Sequence, residues 1–391
     1  MTEIAKTRNN TKIILTAGFA MFAMFFGSGN LVFPLALGAQ CLDQAAAGTV
    51  GLLLTAVAVP FLGLIGITLY HGDREHFFGR IGRIPALILS LIILSLMGPF
   101  GVAARCIIVA YGGLELILPN VNFDLFSITF CLVTFILVWN YHRIVPIIGR
   151  VLTPWLLVGI FVLTCVGLWK APTAPAGELS NLTAFLIGLK QGYQTMDLLA
   201  AFFFSAATIY YLKTHLEDKH DTKTLLKLSL STSFVGAGLL ALVYVGFVQL
   251  GASYANQLAN IHPEGALVAI AEYTLGPLAV PVASATIMLA CLTTTAILVS
   301  LFAEFLNHTL TNDYLGRHPA IGITLFITYC TSRLGFTALS VYLDLALQIA
   351  YPALIALVLA NILAIFAPIR ISKWAFWVTL AISLIFRVLG S

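Results

Sequence analysis

The chain has 391 residues, of which 60% are hydrophobic and only 9% are charged. Because a water-soluble domain carries about 25% charged residues, this composition excludes an ordinary soluble fold and predicts a protein solvated by lipid. The formal net charge of +4 is too small to indicate a nucleic-acid-binding protein.

Eleven hydrophobic stretches follow one another along the chain, each near the roughly 20 residues that a membrane-spanning helix needs. We place them at 12–38, 47–70, 84–112, 122–141, 145–169, 190–213, 225–251, 278–308, 318–334, 341–367 and 371–389. No connection between them is long enough for a soluble domain. We therefore expect a single all-α polytopic membrane domain.

Lysine and arginine are distributed unevenly over the connections between these spans. If the N-terminus is cytoplasmic, all but five of the 20 basic residues fall on the cytoplasmic side. The five exceptions are Arg105, Lys170, Lys190, Arg333 and Arg387. Because basic residues concentrate on the cytoplasmic side of membrane proteins, we expect a cytoplasmic N-terminus.

The first span is interrupted halfway by the sequence Gly27-Ser28-Gly29-Asn30. Each glycine weakens a helix by about 1 kcal/mol relative to alanine, and a backbone released within the membrane must be satisfied by something other than lipid. Close helix packing at small residues is the alternative explanation. The polar Asn30 at bilayer depth favours a broken helix of the kind that binds solutes in transporters.

Four stretches resemble the branched-chain amino acid:cation symporters, the BrnQ or LIVCS family, in the same order along nearly the whole chain. They are FAMFFGSGNLVFPLALG from Phe22, GPFGVAAR from Gly98, GYQTMDLLAAFFFS from Gly192 and ACLTTTAI from Ala290. The first stretch is the most specific of the four. The chain departs from the family pattern at Ala104, where proline is usual before the third-helix arginine, and at Ser205, where glycine is frequent.

The resemblance implies a bacterial cytoplasmic (inner) membrane protein with the leucine-transporter-type fold. In that fold two inverted five-helix repeats, here 12–169 and 190–367, surround unwound first and sixth helices. The stretch 371–389 would be an additional C-terminal helix. The family usually has twelve spans, so the resemblance leaves open whether the C-terminal end holds eleven or twelve.

The midpoints of three spans provide a check on this resemblance. They place the Gly27–Asn30 interruption, the segment 203–205 and Thr293 at a similar depth in the membrane. We therefore expect the sixth helix to break close to Ser205.

The resemblance also implies the residues of a substrate site. Backbone N–H groups of Ser28 and Gly29 would bind the carboxylate of an amino acid, and neighbouring phenylalanines would surround its apolar side chain. The full set is Phe25, Phe26, Ser28, Gly29, Asn30, Phe203, Phe204 and Ser205.

A cation site next to it follows from the same resemblance. Sodium prefers hard oxygen ligands, and the hydroxyls of Thr293 and Thr294 would join the carbonyls of Ala23 and Phe26 around Na⁺. Asn30 would either belong to a second cation site or orient the loop. Considered without the family, the two threonines are more simply explained by hydrogen bonds to carbonyls of their own helix.

Two charged residues lie deep within predicted spans, where charge is rare and costly. Counting helical rise from the span midpoints places Arg105 and Asp197 at nearly the same distance outward from the midplane. We expect them to face the bundle interior and to pair with each other. Asp197 is also the best candidate for proton coupling if the transported ion is not sodium.

The function that we expect is a secondary active symporter that imports branched-chain or similar large apolar L-amino acids with Na⁺ by alternating access. A proton-coupled or Na⁺-coupled symporter of another neutral amino acid, such as methionine, is the alternative. A channel is a less favoured alternative from a different class of protein, because no selectivity-filter sequence is present. We expect neither an enzyme nor a cofactor other than the coupling ion, and the sequence leaves the oligomeric state open.

Overall fold

The computed structural model describes residues 3–139, 152–215, 222–366 and 371–389. Four basic residues used to orient the chain, Arg143, Arg150, Lys219 and Arg370, lie outside the described residues. So does the beginning of the predicted span 145–169.

Within the described residues all regular secondary structure is helical. The α-helices are α1 (Glu3–Phe25), α2 (Ser28–Cys41), α3 (Ala45–Leu53), α4 (Val59–Leu69), α5 (Arg74–Gly79), α6 (Arg83–Met97), α7 (Val102–Glu115), α8 (Phe123–Val138), α9 (Thr153–Trp169), α10 (Asn181–Gln194), α11 (Asp197–His215), α12 (Thr222–Ser253), α13 (Ala255–Leu258), α14 (Ala266–Leu275), α15 (Val280–Phe305), α16 (Arg317–Ser332), α17 (Phe336–Phe366) and α18 (Ser372–Leu389). Short 3₁₀ segments lie at Leu42–Gln44, Pro263–Gly265 and Pro277–Ala279, and π-helical segments at Leu54–Ala58 and Leu306–Leu310.

Side-chain caps fix the starts of α8 and α10. Asn122 accepts a hydrogen bond from the backbone N–H of Asp124 at 2.8 Å, and Ser180 accepts one from Thr183 at 3.1 Å. These caps satisfy N–H groups that have no partner within the helix. They begin α8 and α10 at defined residues.

Five helical segments of the described chain are long and apolar enough to cross a membrane. The number becomes six if the bent pair Asn181–Gln194 and Asp197–Thr214 is one span. The segment Ser28–Leu69 has 42 residues, about twice the length needed for one crossing. The number of spans is therefore not a simple count of such segments, and eleven stays a prediction.

The predicted span 84–112 corresponds to one apolar segment, Arg83–Glu115, which is not a single continuous helix. The structure ends α6 at Met97 and begins α7 at Val102. A Cβ atom at Gly101 would lie 1.8 Å from the carbonyl oxygen of Leu96, so only glycine permits this tight turn. The turn sets the start of α7, the helix that carries Arg105.

The first helix is broken as predicted, since α1 ends at Phe25 and α2 begins at Ser28. The interruption itself is only Phe26 and Gly27, because Ser28 to Asn30 already form the first turn of α2. The N–H groups of that first turn have no acceptor within the helix.

The sixth helix is also broken, but not where we predicted. Helix α10 ends at Gln194 and α11 begins at Asp197, so the break is Thr195 and Met196 and lies nine residues before Ser205. Met196 adopts a backbone φ of +61°, in the left-handed region that a side chain with a Cβ disfavours. No glycine marks this break, so the sequence pattern gave no sign of it.

Helix α2 is held against α12 by two close backbone approaches. A Cβ atom at Gly38 would lie 1.9 Å from the Val248 carbonyl oxygen, and one at Gly251 would lie 2.0 Å from that of Leu35. Small residues allow membrane helices to approach in this way. The contact brings Tyr244, on α12, beside the first-helix break.

Candidate functional site

The two helix breaks meet in the centre of the described bundle. A Cβ atom added to Gly29 would lie 3.2 Å from both the Gln194 carbonyl oxygen and the Thr195 Cα. Glycine at position 29 therefore lets the start of α2 approach the end of α10. Where two helices are unwound at one place, backbone N–H and C=O groups that would be hydrogen-bonded within an intact helix are available to a ligand.

Asn30 connects both breaks through its side-chain amide. Its Oδ1 accepts a hydrogen bond from the Gly27 N–H at 3.0 Å, and its Nδ2 donates to the two Asp197 carboxylate oxygens at 2.9 and 3.1 Å. The Tyr244 hydroxyl donates to Asp197 Oδ2 at 2.5 Å and also contacts Asn30 Nδ2. Two roles were expected for Asn30, a second cation site or orientation of the loop at the first break. These hydrogen bonds are of the kind that orients the loop.

This cluster is sealed from solvent and lies where a carboxylate is stabilised. Asn30, Asp197 and Tyr244 are each at most 2% exposed. Asp197 is also the first residue of α11, where the helix dipole favours a negative charge. The cluster therefore joins α2, α11 and α12 through hydrogen bonds between buried side chains.

The expected ion pair between Arg105 and Asp197 is wrong in this structure. Both side chains face the interior as expected, with exposures of 0% and 1%. The Arg105 Nη2 donates to the Gln194 carbonyl oxygen at 3.1 Å and lies 3.2 Å from the Met196 sulfur. The sixth-helix break separates the charges, because Arg105 binds the end of α10 while Asn30 and Tyr244 occupy Asp197 at the start of α11.

The two threonines predicted for cation binding lie against the end of α1. The Thr293 hydroxyl lies 2.9 Å from the Ala290 carbonyl oxygen of its own helix and 3.3 Å from that of Ala23. The Thr294 hydroxyl lies 3.3 Å from the Met24 carbonyl oxygen and 3.5 Å from that of Ala23. Ala23, Thr293 and Thr294 therefore cluster as expected.

Phe26 is the exception among the predicted cation ligands. No hydrogen bond joins its carbonyl to either threonine in the described residues, and Met24 takes its place. Phe26 directly follows the last residue of α1, and its N–H still donates to the Phe22 carbonyl at 2.8 Å. The carbonyls nearest Thr294 thus belong to the last turn of α1.

Most of the predicted aromatic residues pack around the first break. Phe25 meets Phe204 edge to face with ring centroids 5.3 Å apart, and Phe26 stacks on Phe22 at 5.1 Å. Phe26 also contacts Phe247 at 6.1 Å. This end of the site is apolar and buried.

Phe203 and Ser205 do not join the other predicted substrate residues. The Arg74 guanidinium lies 4.8 Å from the Phe203 ring centroid, and Phe203 lines a cavity of about 690 Å³ together with Arg83, Glu304 and His308. The Ser205 hydroxyl donates to Phe202, within its own helix, at 3.4 Å. Phe203 and Ser205 lie away from the other residues because the sixth-helix break is about two turns earlier in the chain than expected.

Sequence reasoning missed three members of the site. Tyr244 is the one tyrosine in the predicted span 225–251, and a phenol at bilayer depth was a usable signal. Cys106 follows Arg105 directly, and its thiol donates to the Ser28 hydroxyl at 3.5 Å. Gln194 carried no distinguishing signal, since its role comes from its position at the end of α10.

Two solved structures with a similar arrangement of helices are membrane transporters. Mhp1, a nucleobase-cation-symport-1 family transporter in a closed conformation with bromovinylhydantoin bound, matches with a TM-score of 0.61 and 16% identity over 88% of this chain and 77% of that one. A manganese transporter from Eremococcus coleocola matches with a TM-score of 0.59 and 14% identity over 100% and 87% of the two chains. The chain thus has the leucine-transporter-type fold that the family resemblance implied.

Within that class, the chain belongs to the branched-chain amino acid transport protein family, whose model matches residues 10–391. The branched-chain amino acid permease BrnQ of Corynebacterium glutamicum is 29% identical over 355 residues, which are 90% of this chain and 81% of that protein. The branched-chain amino acid transport system 2 carrier protein of Pseudomonas aeruginosa is 28% identical over 321 residues, 77% and 70% of the two chains. The family resemblance predicted from four motifs is confirmed.

Proposed function

We propose that the protein is a secondary active transporter that imports branched-chain or similar large apolar L-amino acids together with Na⁺. The observation that carries the proposal is the meeting of two broken helices beside a cluster of hydroxyl and carbonyl oxygens. The family and the names of the relatives support the substrate class. A symporter of another neutral amino acid, such as methionine, has the same requirements.

The first turn of α2 provides the features that a carboxylate needs. Ser28 and Gly29 lie at a helix N-terminus, where N–H groups and the helix dipole favour an anion. Both residues are buried, so such an interaction is not weakened by bulk water. Phe25 and Phe204 offer an apolar surface for the substrate side chain.

The end of α1 provides the features that a sodium ion needs. Carbonyl oxygens of Ala23 and Met24 face the hydroxyls of Thr293 and Thr294 at 3.3 to 3.5 Å. These are hard, neutral oxygen ligands of the kind that alkali cations take. A cation among them would bind hydroxyl lone pairs, and the hydroxyl protons would turn away from the carbonyls.

Alternating access is supported by an asymmetry across the site. In the predicted orientation, the cavity of about 690 Å³ lies on the cytoplasmic side. On the outer side the rings of Phe33 and Phe336 pack 5.9 Å apart, and both are buried. We infer that during the transport cycle the protein alternates between this arrangement and one that is closed on the cytoplasmic side and open on the outer side.

The test is uptake of labelled leucine by protein in liposomes, with and without an inward Na⁺ gradient at constant pH. We expect uptake to require the Na⁺ gradient and to lose that dependence in a Thr293→Ala, Thr294→Ala double variant. Thr286→Ala is the matched control, because its hydroxyl bonds Val282 in the same helix at 2.8 Å and contacts no α1 carbonyl.

Each other outcome has a defined meaning. Uptake driven by a proton gradient and indifferent to Na⁺ would contradict the cation site and favour Asp197 as the coupling group. Absence of leucine uptake under both gradients, in folded protein, would contradict the substrate assignment. Flux that does not saturate with leucine would favour a channel.

A further inference from the structure

Arg105 is a fully buried cation with unused hydrogen-bonding capacity. Its side chain is 0% exposed, and Nη2 donates to the Gln194 carbonyl. Two other nitrogens, Nε and Nη1, have no hydrogen-bond partner among the described residues. Buried polar groups normally find partners, so these two donors indicate a ligand that the protein itself does not contain.

No acidic side chain of the described residues pairs with this guanidinium. Asp197 accepts from Asn30 and Tyr244, while Asp344 accepts from Gln194 at 2.7 Å and Gln348 at 2.5 Å. The Phe33 ring, with its centroid 5.2 Å from the guanidinium carbon, gives only a cation–π contact. A buried charge that lacks a counter-charge is costly, so the site is short of one negative charge.

The guanidinium lies beside the N-terminus of α2. The Gln194 carbonyl oxygen that binds Nη2 at 3.1 Å is the same atom that a Cβ at Gly29 would approach to 3.2 Å. The next residue, Cys106, contacts the Ser28 hydroxyl at 3.5 Å. A helix N-terminus and a buried unpaired cation, two independent features that attract an anion, therefore lie together.

We propose that Arg105 binds the carboxylate of the transported amino acid through its free Nη1 group, opposite the N-terminus of α2. The free Nη1 and Nε donors point to different sides of the guanidinium, so the carboxylate pairs with Nη1 alone. A charge-assisted hydrogen bond of this kind is about twice as strong as a neutral one. Bound substrate then supplies the negative charge that the site lacks. The proposal rests on the proposed function, since it assumes an amino acid substrate at this break.

The consequence is that Arg105 determines selectivity for a carboxylate. Leucinamide and leucinol keep the leucine side chain but lack the negatively charged carboxylate. In the wild-type protein we expect each to inhibit labelled leucine uptake with an inhibition constant about 100-fold weaker than that of unlabelled leucine, because the charge-assisted bond to Arg105 is lost.

The variants Arg105→Gln and Arg105→Lys separate binding from a merely structural role. We expect Arg105→Gln to reduce the preference for leucine over leucinamide at least about 10-fold. Arg105→Lys, which keeps the charge without the fixed donor directions of the guanidinium, should retain an intermediate preference. Arg317→Gln is the control, since Arg317 also donates to a helix carbonyl, that of Val138 at 3.1 Å, and should leave the preference unchanged.

Two results would overturn the proposal. One is an equal affinity of wild-type protein for leucine and leucinamide, which needs no variant at all. The other is an unchanged preference in Arg105→Gln, measured by competition binding in detergent if that variant no longer transports. Failure of the wild-type protein to bind or transport leucine would instead contradict the proposed function.

Discussion

The two helix breaks differ in how the chain produces them. The first contains Gly27 and is followed by Ser28, Gly29 and Asn30, residues that favour a helix start or an irregular backbone. The second, Thr195 and Met196, contains no glycine and places Met196 at a φ of +61°. The first break is therefore encoded locally, whereas the second depends on contacts with other helices.

Those contacts lie on both sides of the second break. Arg105 binds the Gln194 carbonyl before it, and Asn30 and Tyr244 bind Asp197 after it. A strained backbone persists only where its surroundings hold it. The comparison teaches that changes at distant positions should affect the second break more than the first.

The largest effect should come from Asp197→Ala. This change leaves the Asn30 amide and the Tyr244 hydroxyl without their buried acceptor, at about 1–3 kcal/mol for each group. We expect loss of leucine uptake and a strongly lowered thermal unfolding temperature in detergent. Asp124→Ala is the control, since Asp124 is 41% exposed and bonds Tyr329 at 2.9 Å. Equal losses in the two variants would contradict a special role for the buried cluster.

The next effect concerns the contact between the breaks. In Gly29→Ala the new methyl group would press on the Gln194 carbonyl and the Thr195 Cα at 3.2 Å, at a cost of about 1–3 kcal/mol. We expect reduced uptake from folded protein. In Gly322→Ala, where no atom lies within 4 Å of the new methyl, uptake should be normal. Normal uptake in Gly29→Ala as well would show that the two breaks do not touch.

A third experiment compares two substitutions at Met196. Both Met196→Gly and Met196→Val remove the sulfur that lies beside Arg105, but only valine keeps a Cβ in the left-handed region. That conformation costs an L-residue about 1–2 kcal/mol. The glycine variant should therefore unfold at the higher temperature. A more stable valine variant would mean that Met196 does not have a positive φ.

The smallest effect should follow Tyr244→Phe. Asp197 then keeps both bonds from Asn30 and loses only the bond from the hydroxyl, worth about 1 kcal/mol. Uptake should persist with a slightly lowered unfolding temperature. Complete loss of uptake would contradict this prediction, because it would mean that the Tyr244 hydroxyl takes a direct part in transport.

The predictions from sequence succeeded where a local pattern carries the information. The first break and the helical class follow from residue type and position in a hydrophobic span, and the grouping of Ala23 with Thr293 and Thr294 follows from the short motifs that carry the family resemblance. They failed where tertiary contacts decide. The site of the second break depends on Arg105, Asn30 and Tyr244, which lie far from it in sequence, and the misplacement of Phe203 and Ser205 followed from that single error.

The expected Arg105–Asp197 pair failed for a related reason. Equal depth in the membrane places two residues at one level but does not give their directions around the bundle. The structure puts them on opposite sides of an unwound segment, each with other partners. Depth arguments therefore restrict which residues can meet without identifying pairs.

The central claim is that substrate and cation occupy adjoining sites at the first break, so each should bind better when the other is present. The direct test is equilibrium binding of labelled leucine to purified protein, at a series of Na⁺ concentrations, in wild-type, Thr293→Ala/Thr294→Ala and Thr286→Ala forms. We predict that Na⁺ strengthens leucine binding and that leucine strengthens Na⁺ binding by the same factor, as linkage requires. We further predict that only the double variant loses this coupling. Leucine affinity independent of Na⁺ in the wild-type protein would contradict the account.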